Sequence, residues 1–209
     1  RTVYSNYNKS INMAFLRYVL SLSDGKPVTL GEAQRLAKNQ MITSRQDTTV
    51  NKLQYSLLGD PAISLHLPTL SVVIDSINGA KPSASAPVTL KAGSVARVAG
   101  HVESPQAFNG VMTALVRDSR ELVTCRLNSS AEATTPFTYY DRTNTLFNGA
   151  DSVRNGRFAF SFVVPKDINY SDGRGLINIH AVSNDHLLEA HGAEDNFLVG
   201  GTDDNELDS

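Results

Sequence analysis

Few side chains in this sequence have the types and spacing that catalysis or metal binding would require. The one cysteine, Cys125, lies in the alternating run from Leu122 to Leu127, where a small buried or half-buried thiol is the ordinary interpretation. The five histidines are scattered: His186 and His191 are close, but no Cys or acidic residue stands at an interval typical of a metal site. We therefore predict no catalytic, cofactor-binding or metal-binding residue in the chain, and no cofactor.

Three further features could be mistaken for functional groups. Ala190-His191-Gly192-Ala193 looks like the His-Gly turn of an active site, but it falls between β segments, and we predict a hairpin there. Asp60 is held extended by Pro61, and we predict that it helps to end a helix rather than to tune a catalytic site. Calcium coordination is the alternative to a solvated linker for the acidic tail, which contains Asp203, Asp204, Glu206 and Asp208.

Composition excludes several classes of protein. The formal charge of -2 indicates neither a nucleic-acid surface nor a polybasic membrane patch. No apolar run approaches the roughly 20 residues of a membrane span, and a single cysteine excludes an internal disulfide framework. The chain of 209 residues could form one large domain or two small ones. Because it opens at Arg1 without a methionine, we expect a fragment or a processed product.

The first part of the chain, to about residue 68, has the periodicity of helices. One apolar stripe predicts a helix from about Asn8 to Leu22 and contains Ile11, Phe15, Tyr18, Val19 and Leu22. A capping box from Thr29 to Glu32 opens a second helix, whose inward residues are Leu30, Ala33, Leu36 and Ala37. A third helix, capped by Asp47 or Thr48, would carry Val50, Leu53 and Leu57. Gly59 would end it, and Ala62 to Leu67 would form a short strand.

From Thr69 onward the period changes to two, which predicts strands. The segments are Ser71–Asp75, Val88–Lys91, Ser94–Val102, Gly110–Arg117, Leu122–Leu127, Arg157–Val164, Leu176–Val182 and Phe197–Val199. Asn155-Gly156 is a tight-turn dipeptide, and Phe158, Phe160, Phe162 and Val164 share one face of the strand after it. Short strands separated by turns indicate an immunoglobulin-like sandwich. Residues 128 to 154 are expected to be a long exposed loop with aromatic anchors, and a binding surface is the alternative.

Several runs together resemble the gingipain-type cysteine peptidases and, within that caspase-like family, the type IX secretion sortases. The runs are Arg1–Asn8, Thr29–Ala33, Asn51–Ala62, Phe147–Phe158, Val163–Tyr170 and Asp195–Thr202. The resemblance implies a mixed fold, in which residues 1–68 are the C-terminal helices and last strand of a caspase-like α/β peptidase domain. Residues 69–200 would be an immunoglobulin-like all-β sandwich, and residues 201–209 an acidic linker. Apolar helix faces without partners would then be explained by a sheet that lies elsewhere in the polypeptide.

The resemblance also implies what the parent protein does. Such a cysteine endopeptidase would cleave the C-terminal sorting signals of exported proteins, at the cell surface of a Gram-negative bacterium or after secretion. Its catalytic Cys and His would lie upstream of Arg1, so this chain would be non-catalytic and would stabilise or present the peptidase domain. The implied partners are that upstream domain, the exported cargo and the outer-membrane secretion machinery. Exposed helix faces would also allow a homodimer of the fragment.

Two other functions stay open at this point. The first is a cell-surface adhesion module that uses the β-sandwich. Exposure of Phe137, Tyr139, Tyr140 and Phe147 would favour it, whereas burial of these rings would count against it. The second is a small independent hydrolase that uses Cys125 as nucleophile.

Overall fold

The computed structural model describes residues 4–126 and 135–203. The chain divides into two compact units, Arg1–Leu67 and Pro68–Ser209. The first unit is helical and the second is built of strands, so that the chain as a whole is mostly β-sheet. No helix within the described ranges is both long enough and apolar enough to cross a bilayer.

The helical unit contains two α-helices and one short hairpin. Helix α1 (Ser5–Val19) is followed by strands β1 (Leu22–Ser23) and β2 (Lys26–Pro27), by helix α2 (Leu30–Thr43) and by a 3-10 helix (Asn51–Gln54). Spacing of three and four residues along α1 brings Ile11 and Ala14 against Ala37 and Met41 of α2. Helix α1 ends earlier than the sequence predicted, because Leu22 pairs with Pro27 in the hairpin and is exposed.

The amino terminus of α2 is capped by three different groups. The Thr29 hydroxyl accepts a hydrogen bond from the Glu32 amide at 3.3 Å, as the capping box predicted. The Glu32 carboxylate does not complete the box, since it binds Arg35 instead. The amides of Leu30 and Gly31 donate to the carbonyls of Ile63 and Pro61 at 2.8 and 3.0 Å. The Gly-Asp-Pro segment therefore returns to α2 and satisfies the open amides of its first turn.

The predicted third helix and the strand after it are wrong. Only the 3-10 helix forms, and the segment from Tyr55 to Leu58 has no regular structure. Residues 62–67 contribute a single bridge, between Ser64 and Thr29, rather than a strand. Asp60 does bind a local amide, that of Ala62 at 2.8 Å, but it forms a turn and ends no helix.

Asp47 is the capping residue where the third helix was expected, and it is buried. Its carboxylate accepts hydrogen bonds from the Thr49 amide at 2.8 Å, the Thr49 hydroxyl at 2.6 Å and the Lys52 amide at 2.9 Å. Burial raises the pKa of Asp47, but these hydrogen bonds and the charge of Lys52 outweigh burial, so the pKa is lowered. The ionised carboxylate therefore holds a compact turn instead of starting an α-helix.

The β unit contains twelve strands within the described residues. They are β3 (Leu70–Ile77), β4 (Val88–Ala92), β5 (Val95–Glu103), β6 (Gly110–Arg117), β7 (Glu121–Thr124), β8 (Thr138–Asp141), β9 (Thr145–Val153), β10 (Arg157–Val163), β11 (Gly173–Arg174), β12 (Leu176–Ser183), β13 (Glu189–Glu194) and β14 (Phe197–Thr202). Seven of them form one sheet in the order β10-β5-β3-β13-β12-β6-β9, in which only β3 and β13 pair in parallel. A second sheet has the order β11-β14-β4, and β7 and β8 form a separate two-stranded ribbon.

One apolar core joins the two larger sheets. Its members include Val98 and Ile177 of the seven-stranded sheet, and Leu90 and Phe197 of the three-stranded sheet. The predicted face of β10 is confirmed, since Phe158, Phe160, Phe162 and Val164 are all buried. Asn155 and Gly156 both have positive φ, of 49° and 75°, as a tight hairpin turn requires. Two sheets that share one core make a sandwich-like arrangement.

The long loop expected at residues 128 to 154 is wrong for residues 145–153, which form strand β9. Gly149 lies in the middle of this strand, where an added Cβ would meet the Phe147 ring at 2.5 Å. Phe147 thus covers the glycine and stacks on Phe160 and Phe162, with ring centroids 5.4 and 5.0 Å apart. Residues 127–134 of that segment lie outside the described residues, as do residues 204–209 of the acidic tail.

Candidate functional site

The most conspicuous surface of the helical unit is a second apolar stripe on α1, here called the outer stripe. It consists of Met13, Leu16 and Leu20, which are 55%, 44% and 61% exposed. A helix turns about 100° per residue, so this stripe lies opposite the one that packs on α2. Surface helices usually bury one apolar face, and a helix with two needs a partner on each. No described residue of the helical unit covers the outer stripe.

Exposed apolar side chains are concentrated in this unit. Among the described residues, eleven large apolar side chains are exposed in the helical unit and nine in the longer β unit. Beyond the outer stripe, the helical members include Ile42, Val50, Leu53, Leu58 and Ile63. Its buried core is correspondingly small and formed mainly of short side chains. The helical unit therefore exposes a large apolar surface relative to the small core that it buries.

A shallow apolar cavity lies between α1, α2 and the irregular segment after the 3-10 helix. Its volume is about 300 Å³, and it is lined by Ile11, Phe15, Ala37, Tyr55, Leu57 and Leu58, among others. The Tyr55 carbonyl accepts hydrogen bonds from Gln34 at 3.0 Å and from Lys38 at 2.6 Å, which fixes the segment at its wall. Leu58 is 95% exposed at the rim. The cavity offers apolar contact and no group suited to bond cleavage.

The residues that the sequence singled out for chemistry are not brought together. Cys125 is a half-buried free thiol just after β7, where its amide donates to the Phe137 carbonyl at 2.8 Å. Within the described residues its sulfur makes no hydrogen bond, and no cluster of three His, Cys, Asp or Glu side chains could hold a metal. His191 lies inside strand β13 opposite His180, so the hairpin predicted at Ala190–Ala193 is wrong: these residues are the middle of a strand that pairs with β12.

The aromatic residues proposed for a binding surface are divided between two environments. Phe137 and Tyr140 are 70% and 68% exposed on the ribbon of β7 and β8, and Tyr139 is also exposed. Phe137 and Tyr139 stack with centroids 6.1 Å apart. Phe147, in contrast, packs against the core of the β unit. Three of the four rings thus form an exposed aromatic ribbon, and the fourth supports the fold.

One polar pair was missed by the sequence reasoning. The Nδ1 atom of His101, on β5, lies 3.0 Å from both carboxylate oxygens of Asp75, on β3. Arg157 lines the same open groove. The two partners are 26 residues apart and meet only because β3 and β5 pair across a bulge, so no local spacing could have indicated them. The pair is a cross-strand contact on an exposed face.

Comparison with known proteins identifies the relatives of this chain. The family model for Peptidase family C25 matches residues 1–66, which make up nearly all of the helical unit. The resemblance to the gingipain-type peptidases is therefore confirmed. The chain is also similar to the dimeric latent PorU of Porphyromonas gingivalis, with 28% identity, a TM-score of 0.59 and 92% of this chain covered. PorU is a type IX secretion sortase.

The match spans only 18% of the PorU chain, so this sequence corresponds to a small part of that protein. Spo0M, a sporulation control protein of Bacillus subtilis, aligns over 63% of this chain and 49% of its own, at 10% identity and a TM-score of 0.37. That likeness is too weak to support an inference. No curated protein matches the chain.

Proposed function

We propose that this chain is part of a gingipain-type cysteine peptidase, a sortase of type IX secretion, in which the helical unit completes the peptidase domain. The observation that carries the proposal is the coincidence of two features in residues 1–66. The family model matches this segment, and the same segment exposes the outer stripe and, in all, about half of its described large apolar side chains. The rest of a caspase-like α/β domain is the partner that would cover them.

Burial of the outer stripe would supply the energy for this docking. Transfer of apolar surface out of water contributes about 25 cal/mol per Å², so three half-exposed side chains give several kcal/mol when covered. The three stripe residues are apolar, which suits the interior face of a domain, and the exposed Lys9 lies one helical turn before Met13 at the end of this face. The proposed partner is therefore a sheet or helix of the same polypeptide.

The β unit would stabilise that domain. We propose that residues 69–200 form an immunoglobulin-like sandwich that presents the peptidase to exported cargo and to the outer-membrane secretion machinery, at the cell surface or after secretion. Two sheets around one core and Greek-key-like pairing of distant strands support this assignment. The latent PorU of Porphyromonas gingivalis is dimeric, which supports a homodimer as a further proposal.

The catalytic Cys and His would lie outside this chain, which would be non-catalytic by itself. In cysteine peptidases of this kind a hydrogen-bonded general base such as an imidazole generates the thiolate, and the Cys125 thiol forms no hydrogen bond among the described residues. The test is hydrolysis of a peptide that carries the C-terminal sorting signal of an exported protein. We expect turnover by the complete polypeptide, with or without Cys125→Ala, and none by residues 1–209 alone. Turnover by residues 1–209 that Cys125→Ala abolishes would refute the proposal.

An adhesion module is the second candidate, favoured by the exposed aromatic ribbon. Aromatic side chains that remain exposed on a two-stranded ribbon are typical of protein-binding surfaces. The double variant Phe137→Ala/Tyr140→Ala should then abolish attachment of the β unit to cells while leaving peptide hydrolysis by the complete polypeptide intact. Loss of hydrolysis without loss of attachment would instead assign the ribbon to the peptidase function.

A further inference from the structure

Three arginines converge on one open groove of the β unit. Arg117 ends strand β6, Arg120 follows in the next turn, and Arg142 comes directly after β8. The groove has a volume of about 450 Å³, and its wall also contains Leu115, Tyr140, Asp141, Leu176 and Asn178. We name it the arginine groove. Two of the guanidinium groups come from the connection between β6 and β7 and the third from the residue after β8, and all three line the same space.

A buried polar network holds these segments in place. Asp118, between the first two arginines, is 0% exposed, and its carboxylate accepts hydrogen bonds from the amides of Ser119 and Asn169, both at 2.6 Å. The Ser119 hydroxyl lies 3.0 Å from that of Ser171. A bulge at the end of β6 changes the register just before Arg117. The groove is thus supported by a rigid turn, as a preformed ligand site requires.

The carboxylates of Asp141, Asp118 and Asp195 lie near the arginines of the groove but form no direct ion pair with them. Within residues 4–126 and 135–203, no carboxylate oxygen forms an ion pair with the three guanidinium groups. Arg142 donates from Nη1 to the backbone carbonyls of Asp118, at 2.9 Å, and Arg174, and Arg117 donates to the Arg142 carbonyl at 3.3 Å. The one carboxylate that lines the groove, Asp141, accepts the Arg142 amide at 2.8 Å.

The electrostatic consequence is visible at Arg142. Burial lowers the pKa of its guanidinium most, and the like charge of Arg120 lowers it further, while Asp195 and Asp118 act in the opposite direction. Arg120 is exposed and forms no hydrogen bond within the described part of the chain. The groove therefore holds guanidinium donors that are free to bind an anion, and a bound anion would relieve the repulsion between them.

We propose that the arginine groove binds a phosphate group, either on a soluble phosphomonoester or on a lipid headgroup. Three guanidinium groups that line one groove can share the several oxygens of a tetrahedral oxyanion, whereas one arginine can already satisfy a planar carboxylate. The groove is larger than a phosphate ion. Tyr140, Leu115 and Leu176 would contact the apolar or ring portion that carries the phosphate. This site is independent of the proposed peptidase function, since none of its residues lies in the segment that matches the peptidase family.

The test is binding of two probes to residues 1–209 by titration calorimetry at low salt. The probes are glycerol 3-phosphate and phosphatidylcholine vesicles with or without phosphatidic acid. We expect at least one phosphate probe to bind, and Arg120→Gln to weaken its affinity about tenfold or more. Arg120→Lys, which keeps the charge, should retain part of the affinity. Arg120 is exposed and forms no hydrogen bond in the described residues, so these variants should fold normally.

The matched control is Arg97→Gln, which removes the same charge from an exposed position on β5 outside the groove. It should leave phosphate affinity unchanged. Binding of glycerol 3-phosphate would assign a soluble ligand, and binding only of phosphatidic acid vesicles would assign a headgroup. Absence of binding by both probes, equal weakening by Arg97→Gln, or binding of a polyglutamate peptide in place of phosphate would each overturn the proposal.

Discussion

Replacement of the outer stripe should destabilise the complete polypeptide much more than it destabilises this chain. We consider the triple variant Met13→Gln/Leu16→Gln/Leu20→Gln, because Gln has nearly the helix propensity of Met and Leu. In residues 1–209 the three side chains are already about half exposed, and the aliphatic part of Gln keeps some of the remaining contact, so the free energy of unfolding should fall by only about 1–2 kcal/mol. Any larger loss must come from a partner that this chain does not contain.

The exposed fractions give the size of that loss. Full burial of a Leu or Met side chain contributes about 1.5–3 kcal/mol, so the half that remains exposed contributes roughly 1 kcal/mol on docking. Three such residues give about 3 kcal/mol, and burial of three unpaired amides would add to the loss. In the complete polypeptide we therefore expect the peptidase domain to lose about 3–5 kcal/mol.

Urea denaturation of both proteins, followed by circular dichroism, measures this difference. Ile11→Ala is the control, because Ile11 is 4% exposed within the helical unit and should cost about 2–5 kcal/mol in either protein. Equal, small effects of the triple variant in both proteins would show that the outer stripe stays in solvent, and would refute the docking argument.

Three further predictions concern the packing of each unit. Phe147→Ala should destabilise the β unit by about 2–3 kcal/mol, because the ring stacks on two phenylalanines of β10 and covers Gly149; an unchanged melting temperature would contradict this. Gly192→Ala should lower the free energy of unfolding by about 1–3 kcal/mol or more, because its Cβ would lie 2.1 Å from the Val72 carbonyl oxygen. Chemical denaturation measures this loss, and a neutral effect would show that the β3 and β13 backbones are farther apart. Asp47 has a lowered pKa in the folded chain, so its contribution is fully present well above the unfolded value of 3.8 and is lost as the pH falls through the lower folded value. Asp47→Asn should therefore destabilise the chain at neutral pH and lose its effect in acid, as measured by melting at a series of pH values; a deficit that grows toward low pH would contradict the assignment.

The sequence predicted the strands whose apolar residues alternate, and it missed those without that pattern. Strands β6 and β10 alternate between buried and exposed positions along their whole length, and both were expected. Strand β9 is largely exposed and contains Asn148-Gly149, a dipeptide that is typical of turns, so its sequence has no strand pattern. The strand forms because it pairs with β6. Strand β13 consists of small and charged residues, and Gly192 is required for close approach to β3 rather than for a turn.

The third helix failed for a different reason. Val50, Leu53 and Leu57 have helical spacing, but Val50 and Leu53 are exposed and no second layer in the helical unit covers them. Packing of an amphipathic face supplies most helical stability in proteins, and the hydrogen bonds of Asp47 favour a tight turn at the same place. The helical spacing is present in the sequence, but no described residue of the helical unit covers this apolar face.

The two surfaces proposed here differ in how far they could be predicted from the sequence. The outer stripe could be read from spacing alone, once Met13, Leu16 and Leu20 were recognised as a second face of α1. The arginine groove could not, because its members come from segments before and after residues 127–134 and meet through the pairing of β7 with β8. The family resemblance directed attention to the helical unit and gave no indication of this groove.

Cysteine labelling of the outer stripe tests the central claim most directly. In a Cys125→Ser background, Leu16→Cys should react rapidly with a maleimide in residues 1–209, because Leu16 is on the exposed face of α1. In the complete polypeptide the same cysteine should be protected until the protein is denatured, while Ser85→Cys, in an exposed loop of the β unit, should react at similar rates in both. Equal reactivity of Leu16→Cys in the two proteins would contradict the proposal that the helical unit completes a peptidase domain.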